Sequence, residues 1–303
     1  MLFSFDRLQN HRWTAILLAW TLTSGGLSAA APPASGQNPP AGKHFLWRVT
    51  NARAPFYLLG SIHSLRSSDY PLAPVIESAI KESQQFWFEI DPRRNDLFVK
   101  KVTAAAHYPK GTHVKDKINP KTYAILTRIT PSGGMSLWQD LKPWAIAEFL
   151  IRNPKYALVS NQFGIDNHVY EEAKTRSRPV GGIETMDEHV RVLSDMNDFE
   201  NEVFLLQTLL YADEGAKRFP EEVAAWRAGD CQHLYAMELP KMKEEPSVWW
   251  RLLDHRNALW IPRIQTEIKT GIPTMIVAGA LHFCGPHGVI ALLEKRGYKI
   301  QQL

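Results

Sequence analysis

Cysteine, long apolar runs and an excess of charge of one sign are all scarce in this sequence of 303 residues. The two cysteines, Cys231 and Cys284, cannot form a Cys-x-x-Cys redox or zinc motif. They are compatible with one disulfide in an oxidising compartment and equally with two free, buried side chains. Beyond the N-terminus no segment is apolar enough to span a bilayer. The formal net charge is +4, and it falls to +3 when Asp6, Arg7 and Arg12 are set aside. With no basic cluster, that balance argues against nucleic acid or an anionic membrane as a partner. Gly-x-Ser-x-Gly, His-Glu-x-x-His and a Gly-rich phosphate loop are all missing, so the familiar serine-nucleophile, zincin and phosphate-binding readings have no support. The remaining composition, 45% hydrophobic and 22% charged, is that of a globular chain with a sizeable core.

At the N-terminus Arg7 and Arg12 precede the apolar run Trp13 to Trp20, and small residues follow to Ala29 and Ala30. This is the layout of a secretory signal over residues 1–30, cleaved after Ala30. The run is shorter than the ~20 residues a membrane anchor requires. Residues 31–43, rich in Pro, Ala and Gly, read as a flexible lead, and residues 44–303 as one domain. The expected location is periplasmic or secreted, with no stable membrane span after cleavage.

Short apolar runs at Leu46 to Val49 and Phe56 to Leu59 suggest a hairpin. The second leads into Gly60-Ser61-Ile62-His63, then a helix through Leu72, Val75, Ile76, Ala79 and Ile80, then a strand from Phe86 to Ile90. The C-terminus repeats this order. Strand Thr274 to Ala278 leads into Gly279-Ala280-Leu281-His282, a helix over 289–295 and a strand over 298–301. The expected fold is therefore α/β, with a central mixed, largely parallel sheet built from two βαβ-like halves and a mainly helical middle interrupted by a short strand at 179–183. Ligand sites of parallel sheets lie beyond the carboxyl ends of the strands, where both Gly-x-x-His motifs fall.

Two imidazoles and one carboxylate leave coordination positions open for water and substrate. His63, His282 and Glu89 are the expected ligands of a divalent metal ion, because Glu89 places a charge inside the otherwise apolar strand Phe86 to Ile90, expected to lie beside the His63 strand with Glu89 and Asp91 on the same face. Asp91, two residues on, is a second-shell candidate or a helix cap. Glu184, directly after the 179–183 strand, is the candidate for proton transfer, while Thr185 and Glu188 fit a capping box. Arg256 lies on the apolar stripe of a helix with Trp249, Leu252, Leu253 and Trp260, so it needs an anionic partner, either a structural carboxylate or a developing oxyanion. Asp166 fits a helix cap or a substrate contact, and Asn257 and His287 complete the candidate surroundings. His168 is a weaker ligand candidate, as is Cys284 two residues beyond His282.

Taken in order, these motifs resemble the TraB/GumN family, which includes the Tiki-type metalloproteases and is related to the erythromycin esterase and ChaN-like group. The resemblance rests on Tyr57 to His63 with Tyr70-Pro71-Leu72, Phe88 to Asp91, Pro143-Trp144, Gly164-Ile165-Asp166 and Gly182 to Thr185. It continues through Trp226 with Gly229-Asp230, Arg256-Asn257 with Trp260, and Gly279 to His282. It implies a metal and active site at His63, His282 and Glu89, with manganese or cobalt in the Tiki-type members; the cofactor expected here is a divalent ion, manganese, cobalt or zinc. Phe283-Cys284, Pro286-His287 and His189 depart from the family pattern. The function expected is an exported metal-dependent hydrolase acting on a peptide or a small molecule. The alternative is a non-catalytic binding protein for a peptide, haem or other small ligand.

Overall fold

The structure, a computed structural model, describes residues 42–130, 134–151 and 161–303. The expected signal and most of the lead lie outside the described residues. Among the described residues no helix is long and apolar enough to cross a membrane.

The chain separates into two compact units, one built from Thr23–Pro92, Leu158–Thr185 and Gly215–Leu303, the other including Arg93–Ala157 and Met186–Glu214. The first unit holds a six-stranded sheet in the order β4-β3-β5-β2-β1-β6. Its strands are β1 (Leu46–Val49), β2 (Phe56–Ser61), β3 (Gln85–Phe88), β4 (Val180–Gly182), β5 (Thr274–Gly279) and β6 (Ile300–Gln302). β5 pairs in parallel with both β2 and β3, and β3 with β4, whereas β1 runs antiparallel to β2 and β6.

The largely parallel α/β sheet follows the sequence expectation, but neither βαβ-like half keeps its own strands side by side: in the C-terminal half β2 and β1 lie between β5 and β6. β3 does not adjoin β2: β5 from the far end of the chain inserts between them and separates Glu89 from the His63 strand. The sequence identity of β5 accounts for its place. Thr-Met-Ile-Val-Ala-Gly is apolar without alternation, and every residue but Gly279 is buried, the pattern of a strand covered on both faces. β2 is buried along its whole length for the same reason.

Helix α1 (Pro74–Glu82) connects β2 to β3 and buries Ile76, Ala79 and Ile80. Helices α2 (Asn95–Ala106), α3 (Pro120–Ile129), α4 (Met135–Trp138), α5 (Pro143–Ile151) and α7 (Met186–Ser194) belong to the second unit, while α6 (Ile165–Thr175) returns to the first. In the second unit Phe98 of α2 meets the ring of His189 of α7 edge to face, at 5.7 Å. The buried Asn201 accepts from the Trp144 amide and donates to the carbonyls of Met196 and Asn197. α8 (Asp198–Arg227) is followed by α9 (Cys231–Glu244), α10 (Pro246–Trp249), α11 (His255–Thr270) and α12 (Val289–Glu294). Within the mainly helical middle, Gly229, with a φ of 65°, closes α8 before α9 begins. The helix carrying Trp249, Leu252, Leu253, Arg256 and Trp260 contains a π-helical turn, Trp250–Asp254, that ends two residues before Arg256.

The α8–α9 corner grips both Gly-x-x-His motifs. Buried Trp226 donates its indole N–H to the carbonyl of Gly60 at 2.7 Å, and Cys231, the first residue of α9, is disulfide-bonded to Cys284. The sulfur pair settles the alternative left open by the sequence, and Cys284 is no soft metal ligand.

Replacing both cysteines by serine is expected to lower unfolding free energy by about 2–4 kcal/mol, the usual range for closing a loop of this length. Urea unfolding checks this: the double variant should match the reduced wild-type chain, and an unchanged midpoint would show that the bridge adds nothing.

Candidate functional site

Four strands deliver the site, all within the sheet-containing unit. His63 follows β2, Glu89 follows β3, Glu184 follows β4 by two residues, and His282 sits in the 3-10 turn Ala280–Phe283 after β5. Beyond the strand ends the backbone still pairs: Ile183 donates to the Phe88 carbonyl at 2.7 Å, and Glu184 to the Glu89 carbonyl at 2.8 Å. The backbone nitrogen of Asp91 lies 2.6 Å from where a Cβ on Gly182 would stand, so glycine there lets the segment after β3 pass close to β4. β3 ends at Phe88, so strand alternation does not extend to Glu89 and Asp91.

Two glycines make the convergence possible. A Cβ on Gly60 would stand 2.6 Å from the Phe45 ring and 3.2 Å from the Ala280 Cα, so a side chain there would force the two motifs apart. A Cβ on Gly279 would meet Glu89 Oε1 at 3.4 Å, His63 Nε2 at 3.6 Å and His282 Cδ2 at 3.7 Å. Gly279 thus leaves a small cradle walled by the three expected metal ligands.

Arg256 anchors the floor of the site, and its hydrogen bonds can be counted. Nε donates to Glu184 Oε1 at 2.7 Å. Nη2 donates to Glu89 Oε2 at 2.5 Å and to Glu184 Oε2 at 3.3 Å. Nη1 donates to the Leu252 carbonyl at 3.2 Å and to His282 Nε2 at 3.1 Å. A guanidinium has five N–H donors, and all five are spent. The oxyanion role would need one to be released. What Arg256 does here is hold two carboxylates and a histidine ring in place, the structural partner that its position on an apolar stripe called for. Its guanidinium also lies 5.1 Å from the ring centroid of Trp260.

Glu184 is buried and accepts from Arg256 and from the indole N–H of Trp260 at 2.6 Å. Saturated by charged and neutral donors, it acts as a counter-ion, and this arrangement does not suit the proton-transfer role expected for it. Trp260, read from the sequence only as part of an apolar stripe, and Ser61, read only as part of a Gly-x-x-His motif, were given no site role there. Besides its bond to Glu184, Trp260 lies against the His282 ring, with centroids 4.3 Å apart. Its i, i+4 spacing from Arg256 was the available signal.

Each histidine is oriented from its far side. His63 Nδ1 lies 2.8 Å from Asp166 Oδ2, and Asp166 Oδ1 accepts from Ser61 Oγ at 2.9 Å. Asp166 is in the first turn of α6 but does not cap it: the N-cap is Gly164, without a side-chain bond. His282 Nδ1 lies 2.6 Å from Asn257 Oδ1, and Asn257 Nδ2 donates to the carbonyl of His287. His287 therefore joins the network through its backbone. With acceptors at both Nδ1 atoms, the network assigns the ring protons there and leaves each Nε2 with its lone pair, the tautomer a metal-ligating histidine adopts. His168 is elsewhere, with Nε2 3.0 Å from Glu77 Oε1.

A divalent ion is tested by these donors. The chemistry fits: two oriented imidazoles, a carboxylate and a cradle over Gly279, with Glu89, Glu184 and Asp166 outnumbering one guanidinium. The donors are not yet gathered, however. His282 Nε2 is 4.0 Å from Glu89 Oε1, Glu89 Oε1 accepts from the Gly279 N–H at 2.8 Å, and among the described residues no three His, Cys, Asp or Glu side chains already stand as a coordinating group.

A mixed sheet carrying two Gly-x-x-His motifs around a buried arginine defines the class to which this chain belongs. It belongs to the TraB/PrgY/gumN family, whose model matches residues 45–302. Among curated proteins it is similar to the uncharacterized protein YbaP of Escherichia coli strain K12, at 23% identity over 260 residues, covering 84% of this chain and 94% of that protein. The uncharacterized protein YbaP of Shigella flexneri matches to the same extent. No solved structure matches.

Burial, and then the charge of Arg256, push His282 down to about 3, against the pull of Glu89 and Glu184. The unfolded chain, with an ordinary histidine near ~6.5, binds the extra proton between those values. Stability contributed by neutral His282 is complete above about 6.5 and is lost as pH falls toward 3, by at most ~1.4 kcal/mol per pH unit. His282→Gln should flatten the slope of unfolding free energy between pH 4 and 7 by up to one proton. Equal slopes in urea titrations would mean that His282 is not held neutral.

Proposed function

We propose that the chain is an exported, metal-assisted hydrolase of peptides or small esters and amides, working at the cradle over Gly279. The observation that carries this reading is the convergence of His63 Nε2, Glu89 Oε1 and His282 on that one point, at the carboxyl ends of parallel strands. His63, Glu89 and His282 would hold the ion. Such an ion, when bound, supplies Lewis acidity for attack by water on a carbonyl.

The chain's own residues do the rest. Asp166, fixed by Ser61, orients His63 at the solvent-facing mouth, where the His63 side chain is 56% exposed. Asn257 and Trp260 lock His282 on the buried side, where only 5% of its side chain is exposed. The pair therefore gives a cradle with one wet wall and one dry wall, so a substrate reaches it from the His63 side. Arg256, tied to Glu184, keeps Glu89 aimed at the cradle. The Cys231–Cys284 bridge supports the export reading, because such bonds persist in oxidising compartments. The N-terminal pattern of charged, apolar and small residues supports it too.

A screen of peptide and ester substrates with manganese, cobalt or zinc supplied tests the proposal. Turnover should fall by roughly 100-fold or more in His63→Ala. It should fall similarly in Gly279→Ala, because the added methyl meets its neighbours at ordinary contact distances, so the variant folds while its cradle is filled. Full activity in Gly279→Ala would move the chemistry elsewhere. A blank screen joined to a Soret band on haem titration would favour the binding-protein alternative.

A further inference from the structure

Arg256 holds the donor atoms that an ion in this cradle requires. Its Nη1 donates to His282 Nε2 at 3.1 Å, the only lone pair that ring has left once Nδ1 faces Asn257. Its Nη2 lies 2.5 Å from Glu89 Oε2. Guanidinium and divalent ion therefore draw on the same imidazole and the same carboxylate. We infer that Arg256 is a resident counter-cation that competes with the metal, so that the metal-free centre is latched by an internal guanidinium and metal entry requires Nη1 to leave His282. This rests on the proposed reading only in placing His63, Glu89 and His282 around one ion. It concerns affinity, not turnover.

The latch can open without dismantling the floor. Nη1 has a second acceptor, the Leu252 carbonyl at 3.2 Å, on the π-helical turn that leads into α11. Nε and Nη2 stay on Glu184, itself pinned by Trp260. Release thus gives up one hydrogen bond and tilts the whole planar guanidinium about its Nε–Nη2 edge, with the other Nη1 N–H on the Leu252 carbonyl, while the buried carboxylates keep a cation beside them. The charges work in the same direction: the carboxylates of Glu89 and Glu184 both face the one guanidinium of Arg256, so a cation beside them is favoured.

The test is calorimetric titration of the metal-free full chain with manganese, cobalt and zinc chlorides. The wild type is compared with an Arg256→Met, Glu184→Gln double variant, which removes one charge of each sign and keeps Glu89 and both histidines. The double variant should bind one ion roughly tenfold more tightly or better, the loss of one charge-assisted competitor. Adding His282→Ala should erase that gain. Equal affinities, tighter binding by the wild type, or no binding by either protein would overturn the inference. Should the double variant not fold, nitrogen-15 spectra of wild-type protein with zinc decide the matter. The His282 Nε2 resonance and the Arg256 side-chain N–H signals should move together on saturation, and unmoved arginine signals would overturn the latch. Metal binding without turnover would sink the hydrolase reading while leaving this one standing.

Discussion

A guanidinium taken out of water must find an acceptor for every N–H or forfeit the free energy of its hydration, and at this sheet edge that requirement organises everything else. Arg256 meets it with two carboxylates, an imidazole and a helix carbonyl. The carboxylates arrive from β3 and from the segment after β4, the imidazole from the turn after β5, and the carbonyl from a π-helical turn. A single side chain thereby joins segments more than 160 residues apart in sequence, since Arg256 and Glu89 are separated by 167 positions. Two charged acceptors and a cation–π neighbour explain why arginine, with its planar fork, occupies the position: an ammonium group could not span the same partners.

Around that floor, the mouth of the site is positioned by a different device. The α8–α9 corner reaches both histidine motifs, one through an indole hydrogen bond to Gly60 and the other through a disulfide to the residue after the His282 turn. Ile165 at the start of α6 donates to the carbonyl of Ile62, which brings Asp166 to His63. Glycine at position 60 lets the motifs approach one another, and glycine at 279 keeps the space they enclose open. The result is asymmetric: a buried neutral His282 on one wall and a solvent-facing His63 backed by a carboxylate on the other.

Much of this was legible before the fold was known, because local chemistry announces it. The βαβ order, the hairpin, the short strand near residue 180 and the apolar run of β5 follow from periodicity and burial preference. So does the candidate set, since a charge at the end of Phe-Trp-Phe and an arginine on an apolar stripe are conspicuous wherever they lead. Partner identity was not legible. Asp166 looked like a helix cap because aspartate near a helix start usually is one, yet Gly164 takes that position and the carboxylate turns to His63. Trp260 passed for core, although its N–H helps to fix Glu184.

The sequence by itself determined which residues could carry chemistry and that they would gather at strand ends, since residue type, spacing and apolar patterning are properties of short segments. Only the tertiary structure decided that β5 enters between β2 and β3, that Cys231 meets Cys284, and that the carboxylates of Glu89 and Glu184 face one guanidinium. Those outcomes depend on which distant segments share a buried space. Within that space each polar group must be satisfied by whatever neighbour is in reach, a condition that no local window of sequence contains.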